Sequence, residues 1–82
     1  MYKVYAIYNK KHNKIYIGQT VDINRRLEEH NKHLLGGFTA QYDGCWCIIY
    51  QEDVADRLEA LSREKQLKSY RGREFVKKHI KD

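Results

Sequence analysis

Glu64 can do chemistry, and its local structure alone does not explain its position. Its neighbours at helical spacing are mostly apolar, so the carboxylate is expected to project from an apolar surface. These neighbours are Ala60, Leu61, Leu67 and Lys68. An ionised carboxylate in such surroundings is costly unless a cation meets it. Glu64 is therefore either ion-paired, with Lys68 or with an arginine from elsewhere, or it is a metal ligand or catalytic acid.

Arg26 and His30 are one helical turn apart at the edge of the apolar stripe of a predicted helix. The stripe consists of Ile23, Leu27 and Leu34. An arginine there either lays its aliphatic stem on the core or has a functional role. A histidine there is either a satisfied boundary residue or a proton-transfer group. Both residues are candidates for a site where core meets solvent.

Tyr5 and Tyr16 differ from the other tyrosines because a β-hairpin is expected to place them on one face. Residues 2–8 and 15–18 are rich in β-branched and aromatic residues, and the sequence NKKHNK between them is typical of a turn. Alternation puts Tyr5 and Ile7 on the face of Tyr16. The opposite face receives Val4, Ala6, Ile15 and Ile17. The two tyrosines are thus expected to be neighbours, either as core-edge residues or as site residues.

The predicted helix that carries Arg26 and His30 is followed by a loop and a third strand. Asp22 is a suitable N-cap for a helix over residues 23–33, and Gly36-Gly37 ends the region. We expect a loop up to Gly44 and then a largely buried strand over residues 45–50.

Two helices are predicted in the last third of the chain. Asp53 can cap a helix over residues 54–68, and Gly72 separates it from a short helix over residues 73–81. The expected inward residues are Val54, Leu58, Leu61 and Leu67, then Phe75, Val76 and Ile80. We expect residues 1–82 to form a single small domain, because 82 residues do not supply a second core.

The positive charge is concentrated at the carboxyl end. Sixteen Lys and Arg against eleven Asp and Glu give +5 in total. Residues 1–62 carry eight of each sign, whereas residues 63–82 carry eight basic and three acidic residues, so this segment holds the whole excess. Such a segment favours an anionic partner. Neither a membrane span nor a signal peptide is present in the pattern, so a soluble, cytoplasmic protein is expected.

A zinc site is an alternative use of four residues. His30, His33, Cys45 and Cys47 are potential ligands, but the two cysteines are separated by one residue, unlike the wider spacing of a zinc knuckle. The competing interpretation is a pair of buried free cysteines, since a disulfide across this spacing on one strand would be strained.

Taken together, these residues resemble the GIY-YIG endonuclease superfamily, and most closely its small single-domain members. Lys3-Val4-Tyr5 stands where the first triplet is expected, and Tyr16-Ile17-Gly18 is the intact second triplet. Arg26, His30 and Glu64 follow at the spacing of the family. The resemblance implies an α/β (α+β) fold in which a small three-stranded antiparallel sheet is flanked by helices.

The resemblance also implies metal-dependent endonucleolytic hydrolysis of nucleic-acid phosphodiester bonds, most directly in DNA. Glu64 would hold a single Mg²⁺ or Mn²⁺, and Arg26 would contact the scissile phosphate. Tyr5 and Tyr16 would bind or deprotonate the attacking water. A tyrosine base requires that Arg26, a lysine or the metal lower the pKa of the phenol, or that the metal activate the water. His30 would assist proton transfer or position the phosphate. In the basic segment, the expected nucleic-acid ligands are Lys68, Arg71, Arg73 and Lys77.

One departure from the family pattern motivates alternative functions. Members often carry an asparagine about a dozen residues after the glutamate, whereas no asparagine follows Asn31 here. Lys68 or Arg71 would have to replace it. The alternatives are a nucleic-acid-binding module of the same fold with weak or no activity, and a catalytic subunit that needs a partner for specificity. The sequence leaves the oligomeric state open.

Overall fold

The computed structural model describes residues 1–33 and 37–80. In these ranges the chain forms β1 (Tyr2–Asn9), β2 (Lys14–Thr20), α1 (Ile23–Asn31), a 3₁₀ turn (Thr39–Gln41), β3 (Trp46–Val54), α2 (Arg57–Lys68) and α3 (Tyr70–Lys77). None of the helices in these ranges is both long and apolar enough to cross a membrane.

The three strands form one antiparallel sheet in the order β2-β1-β3. In the hairpin of β1 and β2, Tyr5 pairs with Gly18 and Ile7 pairs with Tyr16. Residues on paired positions share a face, so the predicted hairpin and the assignment of its two faces are confirmed. The predicted fold, a three-stranded antiparallel sheet with helices, is confirmed as well.

Each face of the sheet carries its own apolar cluster. On one face α2 and α3 pack against the sheet, with Val4, Ala6, Ile17, Ala60, Leu67 and Val76 buried. On the other face α1 packs over Tyr5, Ile7, Ile23 and Trp46. Tyr5 and Tyr16 therefore lie on the face of α1, whereas Glu64 belongs to α2 on the opposite face.

Both outer strands are longer than predicted. Gly18 does not break β2, which continues to Thr20, and β3 continues past Tyr50 to Val54. Pairing with β1 explains the extensions, since Lys3 pairs with Thr20 on one side and with Asp53 on the other. The prediction that β3 is largely buried was wrong, because Trp46 is the single buried residue of this outer strand and Cys47 is exposed.

The longer β3 displaces the start of α2. Asp53 and Val54 are strand residues, and the helix begins at Arg57 with Asp56 as its N-cap. The Asp56 carboxylate accepts a hydrogen bond from the Glu59 amide at 2.9 Å. The prediction of Asp53 as the cap was therefore wrong. For α1, by contrast, the Asp22 cap is confirmed by a 3.1 Å bond from the Arg25 amide, although the helix ends at Asn31 rather than His33.

The buried face of α2 also differs from the prediction. Ala60 and Leu67 are buried, whereas Leu58 and Leu61 are 78% and 45% exposed. Residues 60, 64 and 67 follow the spacing of a single helical stripe. Glu64 therefore lies on the packed line of the helix, as its sequence surroundings indicated.

α3 begins earlier than predicted and contains Gly72. Ser69 caps it by accepting a 3.2 Å hydrogen bond from the Gly72 amide. A Cβ on Gly72 would lie 2.2 Å from the Gln66 carbonyl oxygen, so glycine permits the close approach of α2 and α3. Val76 is buried as predicted, while Phe75 is 39% exposed. The predicted positions Leu34, Gly36 and Lys81 lie outside the described residues.

Candidate active site

A chain of hydrogen bonds joins Tyr5, His30 and Thr39. The Tyr5 Oη and His30 Nε2 atoms are 2.9 Å apart, and the other ring nitrogen, His30 Nδ1, is 2.9 Å from Thr39 Oγ1. All three residues are buried. α1 supplies the histidine, β1 the tyrosine and the 3₁₀ turn the threonine. The arrangement fixes the imidazole through both of its nitrogens.

Tyr16 completes the cluster from the neighbouring strand. Its ring centroid lies 5.0 Å from that of His30 and 6.4 Å from that of Tyr5. A Cβ on Gly18 would lie 2.8 Å from Tyr5 Oη and 3.0 Å from Tyr16 Cε2. The glycine of the intact triplet is therefore the residue that makes room for both tyrosines.

The environment of the cluster sets the protonation states of Tyr5 and His30. Burial raises the pKa of Tyr5 well above the ordinary phenol value, and the opposing effect of the Arg26 guanidinium is too small to reverse it. Burial lowers the pKa of His30, and Arg26 lowers it further. At neutral pH the phenol is therefore protonated and the imidazole is neutral. Arg26 alone therefore does not bring the pKa of Tyr5 below the ordinary phenol value, so of the conditions expected for a tyrosine base the one that depends on Arg26 is not met.

Arg26 lies beside this cluster and remains partly exposed. Its Nε atom is 3.8 Å from the Glu29 carboxylate, which also lies 3.7 Å from Arg25. The effects of Arg26 on the pKa values of Tyr5 and His30 place its charge within electrostatic range of both. The guanidinium is thus near the cluster and accessible to a ligand.

Glu64 approaches the site from α2, and its carboxylate is ion-paired. The Lys68 ammonium lies 2.7 Å from Glu64 Oε2, and the glutamate side chain is 20% exposed. The pairing with Lys68 is the first of the two interpretations that the sequence left open. The carboxylate also contributes to the raised pKa of Tyr5, so Glu64 is electrostatically coupled to the cluster.

A groove of about 760 Å³ runs along β2 beside the cluster. We call it the edge groove. It is lined by basic, aromatic, aliphatic and amide side chains: Lys14, Lys68, Arg73, Lys77, Tyr16, Phe38, Ile15, Ile17, Ile80 and Asn13. Tyr16 belongs both to the cluster and to the groove, and Lys68 links the groove to Glu64. Three of the predicted nucleic-acid ligands, Lys68, Arg73 and Lys77, therefore lie together, whereas Arg71 is not among the lining residues.

Three residues at the site were not predicted from the sequence. Gly18 was assigned to a strand break, and Phe38 and Thr39 to a loop. The intact Tyr-Ile-Gly triplet could have indicated Gly18, because a glycine opposite a tyrosine on a paired strand leaves room for its ring. Phe38 and Thr39 depend on a contact between segments distant in sequence, which local patterns do not report.

The described residues contain no cluster of three or more His, Cys, Asp or Glu that could hold a metal ion by themselves. Cys45 and Cys47 are both exposed, so the interpretation of them as buried free cysteines was wrong. A hard dication that keeps several water ligands needs fewer protein groups, commonly one or two carboxylates and a substrate phosphate. The oxygen donors of Glu64, which is paired with Lys68 of the edge groove, fit this mode of binding with a single protein carboxylate.

Comparison with known proteins identifies the family. The GIY-YIG catalytic domain matches residues 1–78, and the chain belongs to this family of nuclease domains. The UPF0213 protein of Desulfotalea psychrophila is 38% identical over 66 residues, which make up 77% of this chain and 60% of that protein. The chain thus matches about 60% of the length of that relative. No solved structure matches the chain.

Proposed function

We propose that the chain is a metal-dependent endonuclease that hydrolyses phosphodiester bonds in nucleic acid, with DNA as the favoured substrate. The observation that carries this proposal is the Tyr5–His30–Thr39 chain of hydrogen bonds beside the edge groove. It offers a path for a proton at the point where a basic groove would place a phosphate.

The protonation states support a relay rather than a phenolate base. In the imidazole tautomer whose Nδ1–H donates to Thr39 Oγ1, Nε2 accepts the Tyr5 hydroxyl proton. When a water molecule attacks phosphorus, its proton passes to Tyr5 Oη while the Tyr5 proton passes to His30 Nε2. The bond from phosphorus to the leaving oxygen breaks, and that oxygen takes a proton from solvent. His30 must be neutral before the transfer in order to accept this proton, which its lowered pKa favours, and it becomes an imidazolium when the proton arrives.

Tyr16 and Arg26 would position the reacting groups. Tyr16 lines the groove and is only half-buried, so its hydroxyl is placed to orient the attacking water. The Arg26 guanidinium would bind the scissile phosphate and stabilise the charge that grows on it in the transition state. Binding a phosphate would compete with the long contact to Glu29, a partly exposed ion pair that is cheap to break.

Glu64 would hold the divalent cation, with Mg²⁺ or Mn²⁺ as the expected ion. When bound, the cation supplies charge stabilisation and lowers the pKa of water at the phosphate. Lys68 engages Oε2 of the same carboxylate, so it would release that atom and turn to the phosphates of the groove. Lys68 is thus the residue placed to replace the absent asparagine.

The proposal is tested by incubating the protein with supercoiled, duplex, single-stranded and branched DNA and with RNA, in Mg²⁺ or Mn²⁺. The wild type should cut at least one substrate, and Glu64→Gln should lose the activity. Glu59→Gln on the same helix is the matched control, since glutamine preserves the N-terminal contact that Glu59 makes with Ala55. A wild type that is inert on every substrate would refute the proposed activity.

The ion pair of Glu64 with Lys68 favours a second candidate function, a nucleic-acid-binding module without turnover. A lysine that holds the carboxylate permanently would exclude the cation. Binding of DNA with equal affinity in EDTA and in Mg²⁺, together with no cleavage, would support this alternative.

A further inference from the structure

Phe38 has no role in the proposed proton relay or in the binding of phosphates by the basic residues. Its side chain is 41% exposed, and it lines the edge groove together with the cations of α2 and α3. Single exposed apolar residues are common on protein surfaces. Phe38 differs from such residues because the groove that it lines also carries three cations, Lys68, Arg73 and Lys77. The remaining lining residues include Tyr16 and the apolar side chains of Ile15, Ile17 and Ile80.

The ring of Phe38 packs against aromatic side chains of the site. It lies nearly parallel to Tyr16, at 24° and 6.3 Å between centroids, and it contacts Tyr42 at 5.2 Å. Phe38 also precedes Thr39, whose hydroxyl is hydrogen-bonded to His30. A ligand that contacts the Phe38 ring is therefore held at a fixed place relative to the proposed relay.

An aromatic ring beside a row of cations is the arrangement that proteins use for unpaired nucleotides. The cations follow the phosphates, and each base offers a flat face that stacks on the ring. Within a duplex the bases already stack on each other and cannot offer that face to a side chain. The charge of the groove excludes a cationic occupant, and its exposed aromatic residue distinguishes it from a purely electrostatic track.

We propose that Phe38 is a base-stacking residue and that the edge groove takes an unpaired segment of nucleic acid. The inference deepens the proposed function, on which it rests, by naming single-stranded or locally unpaired nucleic acid as the substrate class. One base stacks on Phe38, and the adjoining phosphates lie along Lys68, Arg73 and Lys77. Tyr16, stacked on Phe38 from the site, links the bound base to the reacting phosphate.

Fluorescence anisotropy in EDTA tests the inference without cleavage, with labelled single-stranded DNA, single-stranded RNA and duplex DNA of equal length as probes. Phe38→Leu should weaken single-strand binding roughly 5- to 150-fold, the range for loss of one base–aromatic stack, and leave duplex binding within about twofold. Comparison of the DNA and RNA strands identifies which sugar the groove accepts.

Phe75→Leu is the matched control, because Phe75 is similarly exposed at 39% but packs with Tyr50 and His79 instead of lining the groove. Lys77→Gln in the groove and Lys78→Gln beside it form a second matched pair. The inference is overturned if Phe38→Leu binds single strands like the wild type. It is equally overturned if Phe75→Leu weakens binding as much as Phe38→Leu does.

Photocrosslinking keeps the inference testable if Phe38→Leu fails to fold. A single strand that contains 5-iodouracil, bound to the wild type in EDTA, should crosslink at Phe38. Crosslinks elsewhere, with none at Phe38, would contradict it. Tight single-strand binding without cleavage in Mg²⁺ or Mn²⁺ would refute the endonuclease and leave the stacking site intact. Cleavage that is equally fast in the wild type and in Phe38→Leu would support the endonuclease and contradict the stacking site.

Discussion

At the scale of single residues, the site depends on a buried tyrosine that stays protonated and a buried histidine that stays neutral. Burial dominates both shifts, since Arg26 lowers the pKa of Tyr5 but not enough to overcome desolvation. The hydrogen bond between the two side chains then gives the phenol proton a destination. A relay needs both residues at once, so their contributions are not expected to be independent.

A double-mutant cycle measures this dependence. Tyr5→Phe and His30→Gln should each lower the rate of cleavage by about 10²- to 10⁴-fold, the usual range for a proton-transfer group. The double variant should be little worse than either single variant, because each change already breaks the relay. Single-turnover rates provide the measurement, and thermal melts confirm that the variants fold. Fully multiplicative losses would show that the two residues act separately.

The pH dependence follows from the lowered pKa of His30. Protonation removes the acceptor at Nε2, so activity should fall as the pH drops through the folded-state pKa, below the ordinary value of 6.5. The unfolded chain binds the proton more readily, so stability is fully present above about pH 6.5 and declines below it. Chemical denaturation from pH 5 to 8 checks the second expectation, and His30→Gln should flatten this slope. If the stability of His30→Gln fell as steeply below about pH 6.5 as that of the wild type, the loss of stability would be due to other titrating groups.

At the scale of elements, the sequence predicted the type of each element better than its ends. Both Asp53 and Asp56 satisfy the requirements for an N-cap, and local chemistry does not choose between them. Pairing of Tyr2 with Val54 in the sheet keeps Asp53 in β3, and that contact joins opposite ends of the chain. Glu59, three residues after Asp56, was the available local signal for the true cap.

The cap assignment gives a stability prediction. Asp56→Ala should lower the free energy of unfolding by about 1 kcal/mol, because the Glu59 amide loses its acceptor. Asp56→Asn should retain most of the stability, since asparagine caps equally well. Asp53→Ala removes only a partly exposed ion pair with Lys3, which is worth about 0–1 kcal/mol. Urea denaturation compares the three variants, and a larger cost at Asp53 than at Asp56 would contradict the assignment.

The contact between α2 and α3 reverses the usual effect of a glycine substitution. In an ordinary helix interior, Gly→Ala stabilises by roughly 1 kcal/mol. Gly72→Ala should instead destabilise by about 1–3 kcal/mol, because the new methyl group would meet the backbone of Gln66 and Leu67. Arg71→Ala, at an exposed neighbouring position, should change stability by no more than about 0.5 kcal/mol. A Gly72→Ala variant more stable than the wild type would contradict the close approach.

At the scale of the whole molecule, the residues of the proposed site lie on both faces of the sheet, and the two groups meet at β2. Tyr5, His30 and Arg26 belong to the layer of α1, whereas Glu64 and the groove cations belong to α2 and α3. The face assignment and the family were predictable because strand alternation and the residue pattern are local. The pairing of Glu64 with Lys68 was one of two local interpretations between which the sequence did not choose. The positions of Thr39 and Phe38 depend on tertiary packing.

The central claim is that this two-layer site cleaves nucleic acid with the help of a cation held by Glu64. The most direct measurement is the single-turnover rate of cleavage across a Mg²⁺ series for the wild type and Glu64→Gln. The wild-type rate should rise with cation concentration and vanish in EDTA, and Glu64→Gln should be at least about 100-fold slower at every concentration. A Glu64→Gln variant that cleaves as fast as the wild type with the same Mg²⁺ dependence would contradict the account.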